Sequence, residues 1–367
     1  MSEYGLERGA VELQSIGPIA FGPGDVLFVG DNGAASILAI DVGDGGHPDS
    51  GPADAFELDD LDGKLAALLN CRTDDVVIRD MAVHPGTHDV YLSVMRGTGD
   101  DAVALIVRVD HRDGTVSDLD LTDVASSRVS ITNAPSADDE RLDVELPDPP
   151  LGEELEIGGG TIRIARRPAR TSTVTDLAYV DGSVLVAGMS NEEFASNLRR
   201  IPFPFTGEMT DNSLEIYHVS HGQWETAAPI RTFLPFDDGH SLLASYTCTP
   251  LVHFPLDEMT EGTKVVGRTV AELGARNQPQ DIVAFRQGDE DWLLVCHSSH
   301  PLMKIRCADI ARQGALTDPR EPVGVPREQL DVPGVRRLDN LNGEYVLALV
   351  RDADGRRHLR SLKTASL

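Results

Sequence analysis

The sequence predicts an all-β protein made from one repeated structural unit. Helical periodicity is scarce in the 367 residues, and the one segment of any length that shows it is 59–69. Most of the chain consists of short runs rich in Val, Leu and Ile, which Gly, Asp and Pro interrupt at strand spacing. A hairpin pattern recurs along these runs, and an internal repeat of this kind is the strongest indication of a fold.

The clearest copies of the hairpin begin with an aspartate. Asp80, Asp176 and Asp281 each open a short apolar strand that a second apolar strand follows. The intervals between these aspartates are 96 and 105 residues, which would each hold two units of about 50 residues. Three further copies lack the leading aspartate, and they begin near Pro18, Leu242 and Leu338.

Units of this length are typical of four-stranded propeller blades, so we predict a single β-propeller domain over residues 1–367 with seven blades. Six hairpins are visible, and the seventh is expected between residues 116 and 164, where an acidic, proline-rich stretch obscures the pattern. Loop insertions are predicted near 124–170 and 205–230. A doubly wound α/β fold would need crossover helices, which the sequence lacks.

Three segments of the sequence resemble known propellers. The run 28–33 (FVGDNG) is similar to the VADxGN stretch of NHL-type blades. The segments 245–252 and 190–205 resemble a bacterial propeller group to which we attach no activity. This similarity to NHL-like, YVTN-like and lactonase-like repeats implies the fold and does not imply a reaction, because function depends on the site that a fold carries.

The charge of the chain excludes two classes of partner. There are 60 acidic and 32 basic residues, so the formal net charge is −28. Nucleic acids and anionic membranes bind Lys/Arg-rich surfaces, so neither is an expected partner. No apolar run is long enough to span a bilayer, and no signal sequence is recognised, which predicts a cytoplasmic location if this is the whole gene product.

The repeat also predicts where a site would lie. In an antiparallel hairpin, the first residue and the last residue lie at the same end. The residues that open each innermost strand and those that leave each second strand therefore share one face around the central channel. Asp80, Asp176 and Asp281 belong to the first group. Each could cap its own blade through backbone N–H groups, or the three charges could converge on a cation.

His297 is the best single candidate for chemistry on this face, and His300 follows it at HxxH spacing. An imidazole with carboxylates is a mixed nitrogen and oxygen set that suits Zn, Mn, Fe or Cu. We therefore predict a divalent metal of unknown identity, with these ligands: Asp80, Asp176, Asp281, His297 and His300. Cys248 is a candidate nucleophile, with His297 on the neighbouring blade as its base.

The remaining candidates come from the columns of residues that leave the second strands. Arg96 and Arg351 are predicted to neutralise the aspartates and to take part in catalysis. The predicted substrate-binding residues are Asp31, Asn32, Ser190, Asn191, Tyr246 and Thr247. In the second insertion, His218 and His221 precede Trp224 and Glu225, which predicts either an exposed hairpin or a second metal cluster.

Three functions remain open. The first is a metal-dependent hydrolase or lyase that acts on a small organic molecule at the channel mouth, with a copper oxidoreductase using His297, His300 and Cys248 as its redox variant. The second is a non-catalytic propeller that binds a protein or peptide, for which Arg96, Tyr246 and Arg351 are suitable residue types. The third is a thiol enzyme built on Cys248.

Overall fold

A computed structural model describes residues 4–43, 54–146, 152–157, 160–318 and 323–367. Its first thirteen strands are β1 (Glu7–Gly9), β2 (Ile16–Phe21), β3 (Val26–Asp31), β4 (Ser36–Asp41), β5 (Glu57–Leu58), β6 (Val76–Val83), β7 (Val90–Arg96), β8 (Val103–Val109), β9 (Val116–Asp118), β10 (Val124–Ser130), β11 (Leu142–Glu145), β12 (Glu153–Ile157) and β13 (Gly160–Pro168).

The other strands are β14 (Asp176–Val180), β15 (Ser183–Met189), β16 (Ser196–Pro202), β17 (Thr210–His218), β18 (Gln223–Glu225), β19 (Thr232–Phe236), β20 (Ser241–Ser245), β21 (Pro250–Pro255), β22 (Lys264–Val266), β23 (Arg268–Glu272), β24 (Pro279–Gln287), β25 (Glu290–His297), β26 (Leu302–Arg306), β27 (Val323–Gly324), β28 (Arg327–Leu330), β29 (Val335–Asn340), β30 (Tyr345–Arg351) and β31 (Arg357–Lys363). The described α-helices are α1 (Leu61–Leu69), which confirms the predicted helical segment, and α2 (Cys307–Arg312). Short 3₁₀ turns cover Thr73–Asp75, Gly99–Asp101, Ala169–Ser172, Leu256–Glu258 and Thr364–Ser366.

Among the described residues, six sheets share one plan, in which strands lie outward from an innermost first strand. Their pairing is antiparallel except between β17 and β22. The first strands are β2, β6, β14, β19, β24 and β29, and we number blades 1 to 6 in that order. We call the end of the ring at which these first strands begin the upper face. Each first strand pairs with the strand that follows it in the chain, as the repeated hairpin predicts.

The blades form a closed ring. The first strands contact one another in the order β2, β6, β29, β24, β19, β14 and again β2. A cluster of buried apolar side chains lies at each of these six junctions. Side chains of a strand alternate between the two faces of its sheet, so every blade can pack against both neighbours. The architecture is therefore a β-propeller of six blades, closed by packing between sheets.

The prediction of seven blades is not confirmed. The six hairpins visible in the sequence are the six blades of the ring. The stretch expected to hold a seventh contains β10, which pairs with β4 on the outer side of blade 1, and β11, β12 and β13, which form a separate three-stranded sheet. Division of the chain length by the repeat length overestimated the blade number because this insertion adds residues without adding a blade. Residues 147–151 and 158–159 of the insertion lie outside the described residues.

The order of blades around the ring differs from their order in the chain. Blade 1 lies between blades 2 and 3, and it combines strands β1 to β4 with β10, which the chain adds only after it has completed blade 2. The short strand β5 pairs with β31 of blade 6, so an early segment supplies the outer strand of the last blade. Widely separated parts of the sequence thereby hold the ring together.

Candidate functional site

A polar cavity of about 220 Å³ lies on the channel axis at the upper face. Every blade contributes to its wall a residue at or near the start of the first strand: Pro18, Asp80, Asp176, Thr232, Asp281 and Arg337. Glu145 of β11 and Arg167 of β13 complete the wall, so the three-stranded insertion lies at the channel mouth. The structure thus brings the three predicted aspartates to one cavity.

These aspartates connect neighbouring blades. Oδ2 of Asp80 accepts a hydrogen bond from the backbone N–H of Ile19 at 2.9 Å. The other contacts of this type are Asp176 with Phe233 N at 2.7 Å, Asp281 with Leu338 N at 2.9 Å, and Asp339 with Val83 N at 2.7 Å. In each case the donor belongs to the next blade in the same direction around the ring. The capping role considered from the sequence is present within the blade, since Asp176 and Asp281 also accept the backbone N–H of Leu177 and Ile282, and it extends to the next blade. Asp339 is a fourth member that the sequence analysis missed.

Burial and repulsion disfavour the ionised form of these carboxyls. Burial, followed by the negative charge of Asp80, raises the pKa of Asp176 to about 7. The same two causes raise the pKa of Asp281 well above its usual range, and burial raises the pKa of Asp80 although Arg337 opposes that effect. Burial also raises the pKa of Asp339 to about 7. The cavity floor therefore favours protons or a bound cation.

The positive charge that faces these acids comes from arginines that the sequence analysis did not select. Nε of Arg337 lies 3.4 Å from Oδ1 of Asp80, and the same guanidinium donates to the carbonyl of Arg79 at 2.7 Å. The side chain of Arg79 also lines the cavity. Desolvation and the positive charges of Arg167 and Arg337 lower the pKa of Arg79, although the negative charge of Glu145 opposes them.

Arg96 and Arg351, which were predicted to neutralise the aspartates, are not part of this cavity wall. Nη1 of Arg96 donates to the carbonyl of Leu69 in α1 at 3.3 Å, and Nε of Arg351 donates to the carbonyl of Gly355 at 3.3 Å. Each arginine is the last residue of the second strand of its blade, as the repeat predicts. Its long side chain, however, hydrogen-bonds to a nearby carbonyl and does not reach the aspartates.

His297 is not brought to the aspartates. It is buried, with Nδ1 3.4 Å from the carbonyl oxygen of Pro301, and it does not line the channel cavity. Burial, with a contribution from His300, lowers the pKa of His297 to about 3, so the ring is neutral. The centroids of the two imidazole rings are 6.3 Å apart, and Nε2 of His300 lies 3.4 Å from the carbonyl of Ala275.

The predicted metal set is therefore not assembled. Across the described ranges, potential ligand atoms of three or more His, Cys, Asp or Glu residues come within 4.8 Å of one another at two places. Neither place includes Asp80, Asp176, Asp281, His297 or His300. One of them, formed by Asp89, Asp110 and His111, is neutralised by Arg108, whose Nε donates to Asp89 at 2.8 Å.

Two of the predicted substrate-binding residues stabilise turns and junctions. Asp31 is fully buried and accepts backbone hydrogen bonds from Gln14 and Ser15 at 3.0 and 2.9 Å. Asn32 lines the cavity, but its amide bonds both backbone groups of Val174, at 3.1 Å from Nδ2 and 2.8 Å to Oδ1. Asn32 thus connects blade 1 to the segment that leads into blade 3, at a junction without a bridging aspartate.

The other predicted substrate-binding residues lie outside the cavity wall. Ser190 is fully buried, Asn191 is exposed and donates its backbone N–H to Asn133, and Tyr246 is buried in the core between blades 3 and 4. Thr247 touches a residue of the cavity wall. Its Oγ1 accepts a hydrogen bond at 2.9 Å from Arg231, which lines the cavity.

The strongest cluster of reactive groups lies at the hairpin of β17 and β18. The loop insertion predicted near 205–230 is instead the outer part of blade 3, because β17 pairs with β16. Glu225 pairs with Ile216 and Gln223 pairs with His218, so His218 and Glu225 are diagonal neighbours on one face of the hairpin. Oε2 of Glu225 is 3.1 Å from Nδ1 of His218, and Oε1 is 2.8 Å from Nδ1 of His221. The centroids of the two imidazole rings are 3.8 Å apart.

Blade 4 adds two more groups to this cluster. Glu272 of β23 is fully buried, and its Oε2 lies 3.6 Å from Nε2 of His218, while its Oε1 accepts the backbone N–H of Val219 at 2.8 Å. Cys248 follows β20 and interacts with His221. That interaction is the largest cause that raises the pKa of His221 to about 10, and Glu225 adds to it. Burial opposes ionisation of Glu225, but hydrogen bonds with His218 and His221 outweigh it and lower its pKa.

The HxxHxxxE spacing of 218–225 was visible in the sequence, and the tight hairpin brings these three side chains together. The partner of Cys248 could not be read in the same way, because His221 comes from blade 3 and Cys248 from blade 4. The structure replaces His297 by His221 as the imidazole beside this thiol.

No family model matches the chain, and no curated protein is similar to it. Solved propellers do match it. The propeller domain of Cps50 (Swd1) from Myceliophteria thermophila has a TM-score of 0.38 and 12% identity, over 95% of this chain and 84% of that one. The PQQ-bound aldose sugar dehydrogenase of Streptomyces coelicolor has a TM-score of 0.34 and 13% identity, over 98% and 96%. A streptogramin B lyase has a TM-score of 0.37 and 12% identity, over 98% of both chains.

Among the helices that the structure describes, none combines the length and the hydropathy that a membrane span requires.

Proposed function

We propose that this protein is a metal-dependent enzyme that acts on a small organic substrate at the upper face, with the ion held by His218, His221 and Glu225. The observation that carries the proposal is the convergence of these three side chains, whose ligand atoms lie within 4.8 Å of one another. They come from a single hairpin, which supplies the rigid support that a metal site needs.

The chemistry of the donor set fits a catalytic transition-metal ion. Two imidazoles and one carboxylate are a ligand combination of catalytic zinc sites, which keep a further position open. Nε2 of the buried His218 has no hydrogen-bond partner within normal distance, and the nearest carboxylate oxygen is that of Glu272 at 3.6 Å. Glu272 would orient the imidazole from behind, as outer carboxylates do for metal-bound histidines.

A bound ion would polarise a substrate carbonyl or lower the pKa of a water molecule, which favours hydrolase or lyase chemistry. Cys248 makes a copper ion the alternative, because two imidazoles and a thiolate form the set found in copper electron-transfer sites. This observation keeps the oxidoreductase variant open, with His218 and His221 in place of His297 and His300.

The proposal is tested by metal analysis of the purified protein and by titration of metal-free protein with Zn²⁺ and Cu²⁺. We expect one equivalent to bind, and His218→Ala and Glu225→Ala to weaken binding at least about tenfold. His240→Ala is the matched control, because His240 is exposed and also lies beside a carboxylate, that of Asp257. Unchanged affinity in both cluster variants would overturn the proposal, and so would a protein that binds neither ion.

The second candidate is a thiol enzyme. His221 is placed as a base for Cys248, and Glu225 orients His221, which is the arrangement of an activated nucleophile. Reconstitution with Co²⁺ separates the two functions. A thiolate charge-transfer band that Cys248→Ser removes would make Cys248 a metal ligand. Turnover that survives chelation but not alkylation of Cys248 would favour the thiol enzyme. The peptide-binding alternative stays an untested prediction.

A further inference from the structure

The channel cavity contains charged groups that form no ion pair with the described residues of the protein. Of its four arginines, three form ion pairs: Arg231 with Asp143, Arg167 with Glu145, and Arg337 with Asp80. Arg79 is the exception. Among the residues that the structure describes, none makes a hydrogen bond or an ion pair with its guanidinium, although Arg79 lines the cavity and its pKa responds to the charges of Arg167, Glu145 and Arg337.

Two carboxyls of the cavity also lack an ion-pair partner among the described residues. Asp176 accepts backbone hydrogen bonds from Phe233 and from its own neighbour Leu177, and it has no ion-pair partner in the described ranges. Asp281 is bound in the same way by Leu338 and Ile282. Each carboxylate oxygen has lone pairs beyond those that accept these N–H groups. The cavity therefore presents one guanidinium and two carboxyls that a ligand could neutralise.

We infer that the channel cavity binds a small zwitterionic molecule of amino-acid size, with its anionic group at Arg79 and its ammonium group at Asp176 and Asp281. This site is separate from the cluster of His218, His221 and Glu225, and the inference does not depend on metal binding there.

Both the size and the mixed charge of the cavity favour this class of ligand. Its volume of about 220 Å³ is below the range of roughly 300–1,000 Å³ that drug-sized ligands occupy. A simple anion bound to Arg79 would stay close to Asp176 and Asp281, and a simple amine would meet the four arginines of the cavity. Only a molecule with both charges gains from both sides, because its anionic group is attracted to the guanidinium and its ammonium group to the carboxyls.

One further contact connects the cavity to the cluster of His218, His221 and Glu225. Arg231 donates to Thr247 Oγ1 at 2.9 Å, and the next residue is Cys248, which interacts with His221. A ligand in the cavity would therefore lie against a wall that continues into the cluster loop, as a substrate pocket beside a reactive centre does.

The test is isothermal titration calorimetry of the native protein in neutral buffer with glycine, L-alanine, β-alanine, 4-aminobutanoate and the remaining common amino acids. Propionate and ethylamine serve as single-charge analogues. We expect at least one zwitterion to bind about tenfold or more tightly than both analogues. If no zwitterion in the panel exceeds the analogues, the inference is wrong.

Variants then assign the two ends of the ligand. Arg79→Gln and Asp176→Asn are each expected to reduce the affinity of the best ligand about tenfold or more, and Arg79→Lys to retain part of it. Arg286→Gln, at an exposed arginine near the far end of β24, is the control. Circular dichroism establishes that each variant is folded. Equal binding by Arg79→Gln, Asp176→Asn and the native protein would overturn the assignment. Metal-free protein is titrated in parallel, and equal binding there separates this site from the proposed metal function.

Discussion

Arg337 lies against Asp80, with Nε 3.4 Å from Oδ1, although the two residues belong to the last and the second blade of the chain. The contact forms because blade 6 is next to blade 2 in the ring, where the short strand β5 pairs with β31. Closure of the ring thus places a guanidinium among the channel carboxyls, and it limits the repulsion that three acids around one opening would otherwise produce.

Replacement of Asn32 by alanine should weaken the junction between blades 1 and 3. The change removes the partners of the buried backbone N–H and carbonyl of Val174, which together cost about 2–4 kcal/mol. Urea denaturation gives the free energy of unfolding. Asn340→Ala is the control, since this exposed amide makes a single hydrogen bond to a neighbouring carbonyl, and its loss should cost no more than about 1 kcal/mol. Equal effects of the two changes would contradict the role assigned to Asn32.

Asp339 should make stability fall as the pH rises through the weakly acidic range. The folded-state pKa is raised to about 7, so the native state holds this proton where the unfolded chain has released it. Its contribution is fully present below the unfolded pKa near 4 and is lost as the pH passes 7. The stability of Asp339→Asn relative to the native protein should therefore rise from about pH 4 to pH 7 and then level off.

Thermal unfolding of Asp339→Asn across this pH series measures the effect. Asp354→Asn, at an exposed position, provides the control and should follow the native protein at every pH. A stability difference between Asp339→Asn and the native protein that is constant with pH would show that this carboxyl is not protonated in the folded state.

The three-stranded insertion should detach when Asp143 is replaced by alanine. Asp143 and Arg231 are both buried, with their charged atoms 2.5 Å apart, and Ser172 also donates to Asp143 at 2.5 Å. Removal of one partner of a buried ion pair typically costs about 3–5 kcal/mol. Hydrogen exchange should accelerate in β11 and β13 and stay unchanged in β8, which belongs to blade 2, opposite blade 4 in the ring. Uniform acceleration in all strands would indicate global destabilisation instead.

Cys248 should be the most reactive of the four cysteines toward iodoacetamide. It is partly exposed beside His221, whereas burial raises the pKa of Cys307 to about 12 and Cys296 is fully buried. Mass spectrometry of the alkylated peptides gives the rate at each position. His221→Gln should slow alkylation of Cys248 about tenfold or more, while the His240→Ala control should leave it unchanged. Faster alkylation of Cys71 than of Cys248 would contradict the assignment.

The strands, and the end of the blades at which the site lies, were predictable because both depend on the local sequence pattern. The period of two along short apolar runs gave the hairpins, and antiparallel pairing placed Asp80, Asp176 and Asp281 at one end of their blades. The number of blades could not be predicted correctly from the sequence. The insertion at β11–β13 and the return of β10 to blade 1 are pairings between distant segments, and no local pattern records them.

The candidate site divides in the same way. His218, His221 and Glu225 lie within one hairpin, so their convergence follows from spacing that the sequence displays. The sequence analysis proposed Cys248 as a nucleophile, which stays a prediction, and it assigned His297 as its partner. That histidine is instead buried against the carbonyl of Pro301. Arginine side chains were the least predictable, because a long flexible side chain at the end of a strand can turn to any nearby carbonyl or carboxylate.

The amino-acid sequence by itself determined that this protein is built of repeated apolar hairpins and that its polar groups gather where those hairpins begin, since both properties arise from alternation along a strand. The tertiary structure alone decided which blades are neighbours, which guanidiniums face the channel acids and which imidazole meets the thiol of Cys248. These contacts join residues that are far apart in the chain, and they are fixed only when the six sheets pack into a closed ring.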